Sequence, residues 1–264
     1  MSNYTNIYDM EKDFTKEIQK FYNLLKKNEK YALVRFGDGE GPILAGPRHI
    51  IKRGRGGQYT WVYIPGKLEH EKFKLDLMKS LKYKDNNYYI GIHCKDQRKK
   101  VYDYLFDYLY QTACVPKEQL TFACIFYLSN WRFFIDKFMP LATSRECYFV
   151  GNQLAEDPKN LFNDIVYTTS KDAHLHCNET VEIILDKIEK EKIKDAIFLF
   201  ATGPSSCVSI QKLWKENKDN FFIDIGSAID PYIFQNTISK GFSRGSRMKK
   251  LFSGRKKPQP QKWG

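Results

Sequence analysis

Apolar and polar positions alternate along this chain in two rhythms, and the switches between them mark its elements. Met10, Phe14, Ile18, Phe21 and Leu25 recur at helical spacing, which predicts an amphipathic helix over residues 9–27. A compact apolar run, YALVRF at 31–36, then predicts a buried strand, and it stops in Gly37-Asp38-Gly39-Glu40-Gly41-Pro42, a turn signal. Residues 48–57 are basic and glycine-rich and predict a loop, and QYTWVYI predicts another strand. Leu68–Leu81 predicts a helix with Phe73, Leu77 and Leu81 on one face.

The alternation continues downstream. Strands are predicted at 88–92, 120–126 and 146–151, with helices at 97–111 and 130–142. A short strand near 163–167 leads to a helix over about 178–191. Further strands at 195–201 and 221–226 flank a helix from Ser205 to Glu216, and a short helix is expected after Pro231. Short apolar strands alternating with helices predict an α/β, Rossmann-like domain, with a mostly parallel sheet and helices on both faces. Composition does not shift before about residue 240, so residues 1–239 read as one α/β domain.

Charge changes the picture at the end of the chain. Of the formal net charge of +12, nine positive charges lie from Lys240 onward with no acid among them, so the first 239 residues carry only about +3. Residues 240–264 read as a basic, flexible C-terminal tail, suited to an anionic membrane surface or a polyanion. A second basic cluster is Arg48, Lys52, Arg53 and Arg55. The six cysteines form no CxxC pair and several sit in apolar runs, which predicts reduced, buried thiols. Without a leader or an apolar run of about 20 residues, the expectation is a cytoplasmic protein.

In a parallel α/β sheet, ligands bind where loops leave the carboxyl ends of strands, so chemistry is sought there. Arg35-Phe36-Gly37-Asp38-Gly39-Glu40 ends the first strand. In an extended segment, residues two apart point the same way, so Asp38 and Glu40 can offer a hard oxygen pair to Mn²⁺ or Mg²⁺. Gly37 and Gly39 let a ligand approach, and Arg35 adds positive potential. Gly203-Pro204-Ser205-Ser206 opens a helix, where backbone N–H groups and hydroxyls can hold a diphosphate or can simply cap the helix. Asp224-Ile225-Gly226 ends the last strand, where the acid suits ribose hydroxyls or a base; its bland alternative is a structural turn. Gly151-Asn152 ends another strand and is a candidate of the same kind.

Other constellations compete. His174-x-His176-Cys177 has zinc-ligand residue types without a second ligand pair at zinc-finger spacing. His93 and Asp136 are candidate bases, Asp136 on the helix that opens with Trp131 and Arg132. Net charge and many tyrosines also suit a nucleic-acid-binding protein, although no recognised motif supports it and no specific nucleic acid is expected. A metal-dependent phosphatase or nuclease using the same carboxylates is a further alternative, but it needs more acids and histidines than this one pair.

RFGDGE after an apolar strand, GP-small-small before a late helix, and DIG at the next strand end follow one another in an order that resembles the GT-D type glycosyltransferases, over roughly residues 30–235. The resemblance implies a Rossmann-like GT-D fold. Asp38-Gly39-Glu40 matches the family's DxE motif, which implies Mn²⁺ at Asp38 and Glu40 beside the diphosphate of a UDP-sugar donor. Gly203-Pro204 and Asp224-Ile225-Gly226 match its late loop segments. It implies transfer of a sugar, often glucose, to a glycan or glycoprotein acceptor. The basic loop at 48–57, the cationic tail and Gln153-Leu154-Ala155 after Gly151-Asn152 depart from the family pattern.

Overall fold

The structure, a computed structural model, describes residues 12–46, 50–55, 59–93, 103–152, 161–169 and 171–230. The tail at 240–264, Arg48, Gln153-Leu154-Ala155 and the helix expected after Pro231 lie outside the described residues.

Seven strands form one sheet: β1 Ala32–Phe36, β4 Tyr88–Ile92, β5 Leu120–Phe122, β6 Cys147–Asn152, β7 Asp164–Thr168, β8 Ile197–Ala201 and β9 Phe221–Asp224. Their spatial order is β5-β4-β1-β9-β8-β6-β7, and every neighbouring pair is parallel. The inner strands β1, β4, β6 and β9 are buried at every position, whereas the edge strand β7 exposes Asp164 and Tyr167. That is what a sheet covered on both faces requires: inner strands read as unbroken apolar runs and lose the period of two.

Consecutive residues of β4 identify the two covers. Tyr88 meets Ser80 of α3 (Leu68–Leu81) at 2.7 Å, and Ser80 Oγ also donates to the Cys207 carbonyl of α8 (Ser205–Glu216). Tyr89, on the other face, packs edge-on against Phe21 of α1 (Phe14–Lys26). Thus α3, α8 and α7 (Cys177–Glu191) cover one face. Helix α1 covers the other with the helical run from Trp131 to Thr143, comprising α5 Trp131–Phe133, a π turn at Phe134–Phe138 and α6 Met139–Thr143. Asp13 starts α1 by accepting from Thr15 N and Lys16 N, which satisfies two orphan donors of the first turn.

Three expectations are corrected, and a fourth is described only in part. The loop expected at 48–57 contains a strand, β2 Ile51–Arg55, paired antiparallel with β3 Tyr59–Tyr63 in a separate two-stranded ribbon. The turn expected at 37–42 ends in a short helix, α2 Glu40–Leu44, because proline is tolerated in a first helical turn, where its missing N–H would have no partner. Consequently Asp38 and Glu40 do not share an extended segment. The strand expected at 120–126 stops at Phe122, where its partner β4 ends at Ile92; beyond that pair the chain turns, with Ile125 N donating to Phe122 O. The helix expected at 97–111 is described as α4, Asp103–Ala113, and its earlier residues lie outside the described set.

Candidate functional site

All strands of the sheet run the same way, so the loops after β1, β8 and β9 emerge at one edge. β9 lies between β1 and β8, so the three loops are neighbours. The pieces touch. A Cβ built on Gly39 would lie 3.6 Å from Trp61 of β3 and 3.8 Å from Pro204. The Asp38-Gly39-Glu40 turn is therefore wedged between the ribbon and the start of α8. Gly151 and Asn152, at the end of β6, share this edge but lie three strand positions from β1, roughly 14 Å at the usual strand spacing.

The two acids of the turn differ. Asp38 is exposed, while Glu40 is 8% exposed and turned back so that its Oε2 accepts from Gly37 N at 2.8 Å. Burial pushes the Glu40 carboxyl up to about 7, the nearby Asp224 adds to this, and the Gly37 N–H opposes it. The charged neighbours that bear on Glu40 are the carboxylates of Asp224 and Asp38. A buried carboxylate in a negative field, beside an exposed second carboxylate, is a donor set that fits a hard divalent cation. Among the described residues, no group of three or more His, Cys, Asp or Glu is placed to hold a metal ion, so ligand or solvent oxygens would complete the shell around Asp38 and Glu40.

Beneath this turn lies a buried ion pair. Arg35, the fourth residue of β1, donates from Nη2 to Asp224 Oδ1 at 3.2 Å and from Nη1 to the Ala123 carbonyl at 2.9 Å. Burial works against the guanidinium charge, and Asp224 with the Tyr127 hydroxyl outweighs it, so Arg35 stays firmly protonated. Burial likewise pushes the Asp224 carboxyl up, against the pull of Arg35 and of the Gly226 N–H, which donates to Asp224 Oδ1 at 2.9 Å. Gly226 has φ of 50°, and a Cβ there would fall 2.0 Å from Arg35 Nη2, so only glycine closes this turn. Tyr127 lines the same spot: its hydroxyl meets the Ile225 carbonyl and Ser227 Oγ, and its ring centroid lies 5.4 Å from the Arg35 guanidinium carbon.

The loop after β8 keeps its polar groups to itself. Ser205 Oγ donates to the Thr202 carbonyl at 2.8 Å, and Ser206 Oγ pairs with Thr202 Oγ1 at 2.8 Å and accepts from Thr202 N. Gly203 takes φ of 64° to make the turn. A ligand arriving here meets backbone at the helix start, since the serine hydroxyls close the turn.

The zinc reading of 174–177 is corrected. Both ring nitrogens of His174 are buried without a hydrogen-bond partner, among Phe73, His70 and Trp61. Burial lowers His174 to about 4 and pushes the Cys177 thiol up to about 12, and that thiol donates to the His174 carbonyl. His176 instead pairs with Glu179. Asp136 pairs with Arg132 on the helix surface, and Trp131 Nε1 donates to the Ala228 carbonyl. His93 follows β4 at the same sheet edge. Sequence reasoning missed Trp61 and Tyr127. The alternating YTWVY opposite a basic segment is a hairpin signal that would have found Trp61; Tyr127 sits in an apolar run with no signal of its own.

No family model matches the sequence, and no curated protein matches it. Solved structures do. One is described as a new glycosyltransferase (DUF1792) from Streptococcus sanguinis, with a TM-score of 0.58 at 13% identity over 83% of each chain. Another is described as a selenomethionine-substituted domain of unknown function 1792, with a TM-score of 0.56 at 16% identity over 83% of this chain and 80% of that one. A third, whose domain is described as having a distinct glycosyltransferase fold, has a TM-score of 0.56 at 15% identity over the same shares. Together with the seven-stranded parallel sheet, they show that this chain has the GT-D glycosyltransferase fold of domain of unknown function 1792.

Proposed function

We propose that this chain is a glycosyltransferase that moves a sugar, with glucose the first to try, from a UDP-sugar to a glycan or glycoprotein acceptor, with Mn²⁺ or Mg²⁺ held by Asp38 and Glu40. The observation that carries the reading is the Asp38-Gly39-Glu40 turn itself. It sits at the carboxyl end of the inner strand β1, in contact with the start of α8, on a fold that neighbours described as glycosyltransferases share.

The residues divide the work as follows. Asp38, exposed to solvent, and Glu40, backed by the Gly37 N–H, would hold the ion between them. Such an ion supplies a Lewis acid that stabilises charge on a leaving diphosphate. The N-terminal end of α8, beside Gly203 and Pro204, presents backbone N–H groups and a positive dipole to the same diphosphate. Asp224, fixed by Arg35 and the Gly226 N–H, would hold the turn after β9 in place for the nucleoside. Gly151 and Asn152, three strand positions along the same sheet edge, would contact the donor as a weaker candidate of the same kind as Asp224. Arg35 acts through Asp224, since its Nη groups are taken up by Ala123 and Asp224.

The test is UDP-sugar hydrolysis or transfer with Mn²⁺, comparing wild type with Asp38→Ala. A drop of roughly 10²-fold or more in rate at unchanged melting temperature is expected, the size of losing a principal source of transition-state charge stabilisation. Equal rates in the two proteins sink the reading.

A further inference from the structure

The turn that carries Asp38 and Glu40 does little to fix itself. Gly37 and Gly39 flank Asp38, and glycine loses more conformational freedom on ordering than any other residue. Helix α2 has five residues, far too few to stand alone, and it starts at Gly39 with no side-chain cap. The set of the turn therefore comes from its neighbours. Gly41 packs on Leu105 of α4, where a Cβ would come within 3.1 Å of that side chain, and Gly39 sits between Pro204 and Trp61.

Leu105 and Pro204 belong to the helical layers, whereas Trp61 belongs to the separate ribbon and is held there by several contacts. Next to it, Val62 N donates to Asp172 Oδ1 at 2.9 Å, and the Tyr63 hydroxyl donates to Glu71 Oε1 at 2.9 Å. The indole is 5% exposed and meets the His174 ring edge-on, with centroids 6.0 Å apart. His174 in turn lies against Phe73 and His70 of α3, at 5.0 and 5.4 Å between centroids. Both His174 ring nitrogens are buried without a hydrogen-bond partner, so this imidazole serves as a packing ring. Its contribution is shape: it joins α3 to the indole, and the indole reaches Gly39.

We infer that Trp61 is a positioning residue: seated on His174, its indole braces the Asp38-Gly39-Glu40 turn against Pro204 and so sets how the two carboxylates are presented. The bracing stands on these contacts alone; its consequence for a cation rests on the metal role proposed for Asp38 and Glu40.

The experiment is amide hydrogen exchange of the full chain, followed by mass spectrometry, with calorimetric titration of Mn²⁺ beside it, in wild type, W61A, W61F and Y63F. In the turn, the Gly37 N–H is held by Glu40 Oε2, the Gly41 N–H by the Gly37 carbonyl and the Ala45 N–H by the Gly41 carbonyl. In W61A, exchange over residues 37–45 is expected to quicken roughly tenfold or more, with β4 and β8 staying within about twofold of wild type. Mn²⁺ affinity is expected to fall about ten- to a hundredfold, the range for losing a group that orients a metal ligand. W61F keeps a ring on His174 and should recover much of both losses. Y63F removes the bond to Glu71 from the same strand and should leave the turn protected. If W61A melts early, W61L fills more of the space and should still free the turn. Exchange over 37–45 within about twofold of wild type in both W61A and W61L, or equal quickening in Y63F, overturns the inference. A wild type that binds no Mn²⁺ removes the metal reading, and the exchange result then decides the bracing by itself.

Discussion

The loops after β1 and β8 look alike on paper, since each is a short polar segment with two glycine or proline positions, leading from a buried strand into a helix. Folded, they behave oppositely. After β8, Thr202, Ser205 and Ser206 satisfy one another, and nothing polar among their side chains is left over. After β1, Asp38 is exposed, and Glu40 is buried beside Asp224 with its carboxyl pushed up to about 7. What separates the two loops is that one satisfies neutral hydroxyls locally and the other buries a carboxylate near a second carboxylate.

The largest expected effect lies under both loops. Asp224→Ala strands the Arg35 guanidinium in the interior, and a broken buried pair costs about 3–5 kcal/mol; urea unfolding should show it, and a loss under 1 kcal/mol would remove the pair from its place in the scaffold.

Second, Mn²⁺ should raise the melting temperature of wild type and not of Asp38→Asn or Glu40→Gln, while Ser206→Ala responds as wild type does. By linkage, an ion present at 100 times its dissociation constant stabilises by about 2.7 kcal/mol. A Ser206→Ala protein that loses the response would erase the distinction between the two loops.

Third, His174 tests the apolar cage beneath the ribbon. Its folded value of about 4 lies below the ordinary 6.5, so its contribution is fully present above pH 6.5 and is lost as pH falls toward 4. His174→Phe should flatten the loss of stability between pH 6.5 and 4 by roughly 2–3 kcal/mol; identical acid profiles would contradict the burial. Smallest is Ser206→Ala itself, about 1–2 kcal/mol from leaving Thr202 with unmet hydrogen bonds, with transfer activity kept.

Sequence pattern reached far where one periodicity ruled. Leu68–Leu81 and Ser205–Glu216 have the bounds predicted for them; the first buries a single helical stripe, and the second is buried all round over its first six residues. It failed where tertiary partners decide. β2 has no apolar alternation and exists because β3 pairs with it. Strand β5 is shorter than its apolar run because β4 ends. The extended geometry assumed for Asp38 and Glu40 gave way to a turn and α2, so their unequal burial was invisible. The order of the three loop motifs was legible; the Arg35–Asp224 pair that joins two of them, 189 residues apart, was not.

The sheet order carries a further consequence. Strands β1, β4 and β5 come from the first half of the chain and β6 to β9 from the second, and the two sets meet only where β1 pairs with β9, at Ala32 with Phe222 and Leu33 with Ile223. The described strands form two contiguous half-sheets zipped along one seam, and Arg35 and Asp224 are the stitch at its carboxyl end. Because β9 is synthesised after every other described strand, and joining it to β1 closes the longest strand-to-strand loop among the described residues, a nascent protein can build either half before the loops after β1 and β9 come together. Partial opening along that line separates those loops while most of the secondary structure survives.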